Sequence, residues 1–281
     1  MEEFELNKYE KSKDYAKSPF RYPGGKFYAL KHIIPFLDSV EHDEYREPFL
    51  GGGSVYLAKA KTKYNWINDL EEEIINVYQH IANSEIINEF AEMYDNEIAS
   101  KIRHKEVINS KPNTAIDRAF RTYYLNRTSY SGIIHKPAWG YKEGKSSPPK
   151  NWKNFLVGSS KKLDNIKITS VDFEKVIRAK KKGKKVLIYL DPPYFKADQK
   201  RAYTKSFETD DHLRLAKVLK STEHYFCLSY DDCEEVRKLY SWANIYERNW
   251  LYNTANISGK SRNTGNELII TNFKVKDQRF L

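Results

Sequence analysis

An α/β fold built on a mostly parallel sheet is what this sequence predicts, and three observations carry it. Residues 185–190 (Lys-Val-Leu-Ile-Tyr-Leu) and 225–229 (Tyr-Phe-Cys-Leu-Ser) are short, nearly unbroken apolar runs, the pattern of strands covered on both faces. Segments with helical spacing lie between such runs, and that alternation is how parallel strands are connected. The chain has 281 residues, 40% hydrophobic and 31% charged, so it can bury a core without a disulfide or metal staple.

In chain order, 19–25 and the glycine-rich 48–53 read as turns. Residues 71–98 read as helices, with Ile74, Ile75, Tyr78 and Ile81 spaced for one apolar face. A further helix is expected over 113–126. Beyond it comes a loop or hairpin over 131–151, which holds Gly and Pro and has no strong period. From 165 onward short apolar runs alternate with helices. A strand ends at Leu190, a helix covers 210–220, a strand 225–229, a helix 234–240 and a late strand 267–273. No internal repeat or low-complexity tract interrupts this order.

The chain carries 48 Lys plus Arg against 38 Asp plus Glu, a net charge of +10. Residues 101–170 hold 15 basic and 4 acidic residues, which leaves 33 basic and 34 acidic elsewhere. The same stretch holds Tyr123, Tyr124, Tyr130, Trp139, Tyr141 and Trp152. Basic charge interleaved with rings is the footprint of a nucleic-acid surface, and a solvated basic face is the plainer alternative. Cys227 and Cys233 fit neither a Cys-x-x-Cys motif nor a disulfide framework, and the histidines show no metal-ligating spacing. No apolar run approaches a membrane span, and Met1-Glu2-Glu3-Phe4-Glu5 is too acidic for a signal peptide. A reducing cytoplasm is the expected location.

Three motifs bear on chemistry. Glu47-Pro-Phe-Leu-Gly-Gly-Gly-Ser54 is a glycine turn of the kind that lets a cofactor approach the backbone beside a helix N-terminus. Tyr56 stands where both the dinucleotide fingerprint and Gly-x-Ser-x-Gly need their last glycine. Asp69, closing the segment 64–68, is placed to hold a ribose by its hydroxyls, and Asp69-Leu-Glu-Glu72 also reads as a capping box. Asp191-Pro-Pro-Tyr194 comes directly after a buried strand, and its two prolines fix an acid and an aromatic towards one point. Such a carboxylate, with the carbonyl of Pro192, can accept both hydrogens of an exocyclic amine while Tyr194 stacks on the ring that bears it. Gly259-Lys-Ser261 lacks the earlier P-loop glycine, where Thr254 stands, and Lys180-Lys-Lys-Gly-Lys-Lys185 reads as a solvated turn.

With these residues in view, the chain resembles the Dam-like, D12-class DNA adenine-N6 methyltransferases in their α-arrangement, from about 18 to 273. Phe20-Arg-Tyr-Pro-Gly-Gly-Lys26 resembles the family's N-terminal cofactor motif, and 49–53 the turn beside the methionine moiety. Asp172-Phe173 is similar to the pair that meets the cofactor's adenine, and Asp191-Pro-Pro-Tyr194 to the catalytic motif. The pieces Tyr203…Phe207, Leu228-Ser-Tyr-Asp231 and Glu267-Leu-Ile-Ile-Thr-Asn272 fit later blocks.

The resemblance implies a Rossmann-like methyltransferase sheet with helices on both faces, plus an inserted, mostly helical target-recognition domain with a hairpin or loop. Residues 1–71 and 159–281 would form the catalytic domain and 72–158 the insertion. It implies S-adenosyl-L-methionine as methyl donor with no metal, bound by Tyr22, Lys26, Phe49, Gly51, Gly53, Asp69, Asp172, Phe173 and Asp191. Asp191, Pro192 and Tyr194 would carry methyl transfer to N6 of a flipped-out adenine. Arg127, Tyr130, Ser131 and His135, in Leu125-Asn-Arg-Thr-Ser-Tyr-Ser-Gly-Ile-Ile-His135, would touch double-stranded DNA. Members reading GATC carry Asn and Arg where this chain has Ser131 and His135, so that target is not implied. A monomer is the expected state, and a cognate restriction endonuclease is left open. Two other readings stay in play: methylation of RNA adenine, and a non-catalytic DNA-binding module.

Overall fold

The structure, a computed structural model, describes residues 12–195, 207–251 and 264–275. These form a seven-stranded sheet from β1 (Glu44–Glu47), β2 (Tyr64–Asn68), β3 (Lys167–Thr169), β4 (Val186–Leu190), β5 (Tyr225–Asp231), β6 (Asn244–Leu251) and β7 (Thr264–Thr271). The strand order is β3-β2-β1-β4-β5-β7-β6, with β7 antiparallel to both neighbours and the other pairs parallel. This is the expected Rossmann-like sheet.

Strand alternation splits the core into two layers. Leu187, Tyr189, Cys227 and Ile269 face one side, where α1 (Leu30–Asp38), α2 (Ser54–Ala58), α3 (Glu72–Ala82), α4 (Ile87–Glu92), α6 (Ala115–Thr128) and α7 (Trp152–Leu163) pack. Ile188, Leu190, Phe226, Leu228 and Ile270 face the other, under α8 (Phe173–Arg178), α9 (Thr209–Lys220) and α10 (Glu234–Leu239). Helices therefore cover both faces, as expected.

The predicted elements lie close to their expected bounds. The 71–98 stretch is two helices, because the chain leaves helical geometry at Asn83 (ψ 107°). Helix α5 (Lys101–Asn109), unread in the sequence, buries only His104 and Val107 and so shows no apolar face. Strand β1 is wholly buried although three of its four residues are charged. Arg46 donates to Glu44 at 2.8 Å and to the carbonyls of Val176 and Ala179 at 2.8 and 2.9 Å, so the charge is paired and its donors are used.

Helices α3–α7 lie between β2 and β3 in chain order and share one continuous hydrophobic cluster with the sheet face. A boundary at 158/159 would fall inside α7. The aromatics of 101–170 divide between core and surface. Tyr123, Tyr124 and Trp152 are fully buried, with the Trp152 ring centroid 6.3 and 5.6 Å from those of the two tyrosines, whereas Tyr130 is 60% exposed. The 131–151 loop is joined to Ser129 by an isolated β-bridge at Trp139 and is tied to the body by further hydrogen bonds, such as that from the Asn126 side-chain amide to the Gly132 carbonyl. The basic turn at 180–185 hangs on acids of β1 and its approach: Glu44 accepts from the amides of Lys182 and Gly183, and Asp43 from those of Lys184 and Lys185.

Candidate active site

Strands β1 and β4 are neighbours, yet the chain leaves β1 towards β2 and β3 before it returns to β4. Ligands settle at such a switch point, outside the carboxyl ends of the strands. A cavity of about 560 Å³ lies there. The segments leaving the strands build its wall: Phe49–Gly53 after β1, Asp69–Glu71 after β2, Asp172–Phe173 after β3 and Asp191–Tyr194 after β4. Tyr22–Lys26 and Gly132–His135 close it from outside the sheet. The volume suits a small-molecule cofactor.

Asn68, at the last position of β2, holds three of these exits in register. Its amide donates to the carbonyls of Pro48 and Val171 at 3.0 and 2.9 Å, and its oxygen accepts from the Val171 amide at 2.9 Å. Fully buried and satisfied, it sets where Phe49, Asp69 and Asp172 emerge. No motif points to it beyond its place before Asp69.

Asp69 does not form the expected capping box, since α3 starts at Glu72 with Glu71 as N-cap and no side-chain cap. Instead Asp69 Oδ1 accepts from the Glu71 amide at 2.9 Å and Oδ2 from the Gly51 amide at 2.7 Å. Burial raises its pKa to about 6 against these two bonds. The glycine turn has Gly51 and Gly53 at φ +50° and +66°. A Cβ on Gly51 would lie 2.8 Å from the Tyr22 ring, and one on Gly53 2.5 Å from the Tyr78 hydroxyl. The turn is thus bare to admit those two tyrosines.

Lys26, 6% exposed, places its Nζ 2.8 Å from Asp191 Oδ1 and 4.7 Å from the centre of the Tyr194 ring. Burial raises the Asp191 pKa, and Lys26 opposes that shift. The Tyr194 hydroxyl donates to Glu267, and the Phe195 amide to Asp231 at 3.1 Å, which ties the tetrapeptide to β5 and β7. Glu47, buried on the cavity floor, accepts from Tyr45 at 2.7 Å. Burial pushes its carboxyl far above the usual range, and the charges of Asp191 and Asp69 add to the rise.

At the far end Phe49, Phe173 and Phe207 form an apolar slot, with the Phe49 centroid 5.5 and 5.7 Å from the other two. Asp172 caps α8 and pairs with Arg214 at 2.8 and 2.9 Å, while the Arg214 guanidinium lies 4.2 Å over Phe173. Burial raises the Asp172 pKa, but Arg214 and the Glu174 amide outweigh it and hold the carboxyl below its usual value. Arg214 joins the site unannounced by the sequence, because an Arg in a helix carries no local signal, and Glu47 is marked there only as the start of the glycine-turn motif.

The structure therefore gathers Tyr22, Lys26, Phe49, Gly51, Gly53, Asp69, Asp172, Phe173, Asp191, Pro192, Tyr194 and His135 on one cavity. Tyr130 and Ser131 sit on the adjoining loop, outside its wall. Arg127 departs from the expectation of a DNA contact. It is 8% exposed, donates to the Pro19 carbonyl at 3.2 Å and lies over the Phe155 ring, so its charge faces inward. Tyr203 and the 259–261 motif lie outside the described residues. Among the described residues no group of three or more His, Cys, Asp or Glu side chains is arranged to hold a metal, and no helix is long and apolar enough to cross a membrane.

Residues 22–254 match the D12 class N6 adenine-specific DNA methyltransferase family, and the chain belongs to it. Membership makes it an enzyme of the S-adenosylmethionine-dependent class that methylates adenine in DNA. The chain is 30% identical to the type II methyltransferase M1.LlaDCHI of Lactococcus lactis subsp. cremoris, over 95% of this chain and 99% of that protein. It is 26% identical to the type II methyltransferase M.CviBI of Paramecium bursaria Chlorella virus NC1A, over 92% and 98%. To a DNA N-6-adenine-methyltransferase of Escherichia phage P1 it is 27% identical, over 73% of this chain and 30% of that protein.

Proposed function

We propose that this protein methylates N6 of an adenine flipped out of double-stranded DNA, with S-adenosylmethionine held in the cavity at the sheet's switch point. The observation that carries this reading is one cavity bounded by Asp69 after β2 and by the Lys26–Asp191 pair after β4. The cavity suits the cofactor at both ends. Asp69 offers a carboxylate to ribose hydroxyls, and the Phe49–Phe173–Phe207 slot offers ring faces to a purine. Bound there, the cofactor supplies an electrophilic methyl group.

The chain's own residues do the rest. The lone pair of an adenine N6 is delocalised into its ring, so the amine is a weak nucleophile. Asp191 accepts one of its hydrogens and the Pro192 carbonyl the other, which draws the nitrogen out of conjugation and aims it. Lys26, 2.8 Å away, keeps the buried Asp191 ionised for that task. As the nitrogen–carbon bond forms and the donor's sulfur–methyl bond breaks with its electron pair left on sulfur, the nitrogen carries one proton too many. Asp191, its pKa raised by burial, is the adjacent acceptor. A base within a duplex cannot reach this pocket, so it must leave the stack at a cost of a few kcal/mol, partly offset by stacking on Tyr194.

Residues 1–71 with the stretch after α7 serve as the catalytic unit, and the helices between serve as the target-recognition unit. DNA meets the exposed Tyr130, the half-buried Ser131 and His135, and the basic residues of 101–170, whose phosphate contacts position without reading sequence. The type II designation of two relatives supports a restriction–modification role with a cognate endonuclease. We take the working unit to be a cytoplasmic monomer. Expression in a host lacking adenine methylation, followed by single-molecule sequencing, should show N6-methyladenine at one short motif. Unmodified DNA would refute the reading, as would methyl groups found only in RNA.

A further inference from the structure

The loop after α6 has two edges. One carries Tyr130, 60% exposed. The other, Gly132 to His135, is part of the cavity wall. The loop is fastened at both ends to the cofactor half. At its start the buried Asn126 donates to the carbonyls of Arg21 and Gly132 at 2.7 and 2.8 Å and accepts from the Arg21 amide at 2.9 Å. That binds the loop to the segment leading to Lys26. Gly132, at φ +77°, presses so close that a Cβ there would lie 2.1 Å from the Arg21 carbonyl oxygen. At its end His135 Nε2 lies 2.7 Å from Glu71 Oε2, two residues beyond Asp69.

We propose that His135 is a positioning residue: through Glu71 it ties the DNA-facing loop to the strand end that holds the cofactor ribose, so that DNA binding and cofactor binding strengthen each other. The proposal rests on the cofactor reading given above. The loop has one edge towards each ligand, so whichever ligand binds first and orders it leaves it pre-ordered for the other, and the coupling must be reciprocal. The pair is partly exposed, with side chains 26% and 14% accessible, so its strength is that of a half-screened contact.

The test is calorimetric titration of the full-length protein with S-adenosylhomocysteine, which cannot turn over. It is run with and without sonicated plasmid DNA from a host lacking adenine methylation. In the wild type, DNA should tighten binding about fivefold or more. His135→Ala should weaken DNA-free binding about three- to fivefold and reduce the DNA effect to less than about twofold. Glu71→Ala should match it, and the double variant should be no worse than either single one. His135→Gln, which can still donate to Glu71, should restore the coupling, and this separates positioning from a folding defect. The proposal is overturned if DNA leaves wild-type affinity unchanged. It is equally overturned if His135→Ala lowers DNA affinity while cofactor affinity and its DNA dependence stay put, which would make His135 a plain DNA contact. A wild-type protein that binds no S-adenosylhomocysteine at all would remove the cofactor reading itself, and with it the coupling.

Discussion

Replacing Lys26 by Met keeps the buried stem and deletes one charge, 2.8 Å from Asp191, the acid proposed to handle the substrate amine. At an effective dielectric near 20, two unit charges at that distance attract by about 6 kcal/mol. Taking both from water cancels much of this, and the net effect of a close opposite charge on a carboxylate is about one to three pKa units, or roughly 1.4–4 kcal/mol. Burial already holds the Asp191 pKa above its ordinary value, and Glu47 and Tyr189 line the same cavity without offering a compensating positive charge. Loss of Lys26 therefore lets the acid climb further towards neutrality. Because the proposed mechanism needs ionised Asp191, activity should be present above the Asp191 pKa and lost as pH falls through it. The acid limb of single-turnover methylation, at saturating cofactor and DNA, should move up by about one to three pH units, with recovery in alkali. An unmoved limb accompanied only by a raised KM for S-adenosylmethionine would refute this reasoning and leave Lys26 a simple cofactor contact.

Asp69, with a pKa raised to about 6, should make cofactor affinity rise as pH increases through that value, since ribose hydroxyls donate best to the ionised form. Asp69→Asn should flatten the dependence in calorimetry, and an unaltered slope would place the titrating group elsewhere. Gly53→Ala combines a positive φ with a Cβ 2.5 Å from the Tyr78 hydroxyl. Its strain should cost about 1–3 kcal/mol and lower the melting temperature by about 2–4 °C for each kcal/mol. Arg46→Met removes the buried countercharge of Glu44 and should destabilise by about 3–5 kcal/mol in urea denaturation, while leaving catalysis per folded molecule unchanged.

What could be read in the sequence was what is local. Strands β4 and β5 are continuous apolar runs, and Asp191-Pro-Pro-Tyr194 announces itself because two prolines after a buried strand have few structural uses. Strand β1 could not be read that way. Glu44 and Arg46 look like surface residues until segments more than a hundred residues away come round: the Val176 and Ala179 carbonyls accept from Arg46, and the Lys182 and Gly183 amides donate to Glu44. The same holds at the site. Phe49, Asp69 and Asp172 were visible as motif residues, whereas Asn68, Arg214 and the Glu71–His135 contact exist only once distant segments meet. Arg127 shows the converse error: a cation in a basic stretch suggests phosphate, but its neighbours Pro19 and Phe155 draw it inside.

The central claim is that Asp191 carries methyl transfer to adenine N6 in DNA. It is tested most directly by incubating purified protein with unmethylated duplex DNA and S-adenosylmethionine, digesting to nucleosides and weighing them by mass spectrometry. The wild type should yield N6-methyldeoxyadenosine, and Asp191→Ala should yield at least about a hundredfold less while still retarding DNA in a gel. Methyl groups on another base, or near-normal methylation by Asp191→Ala, would contradict it.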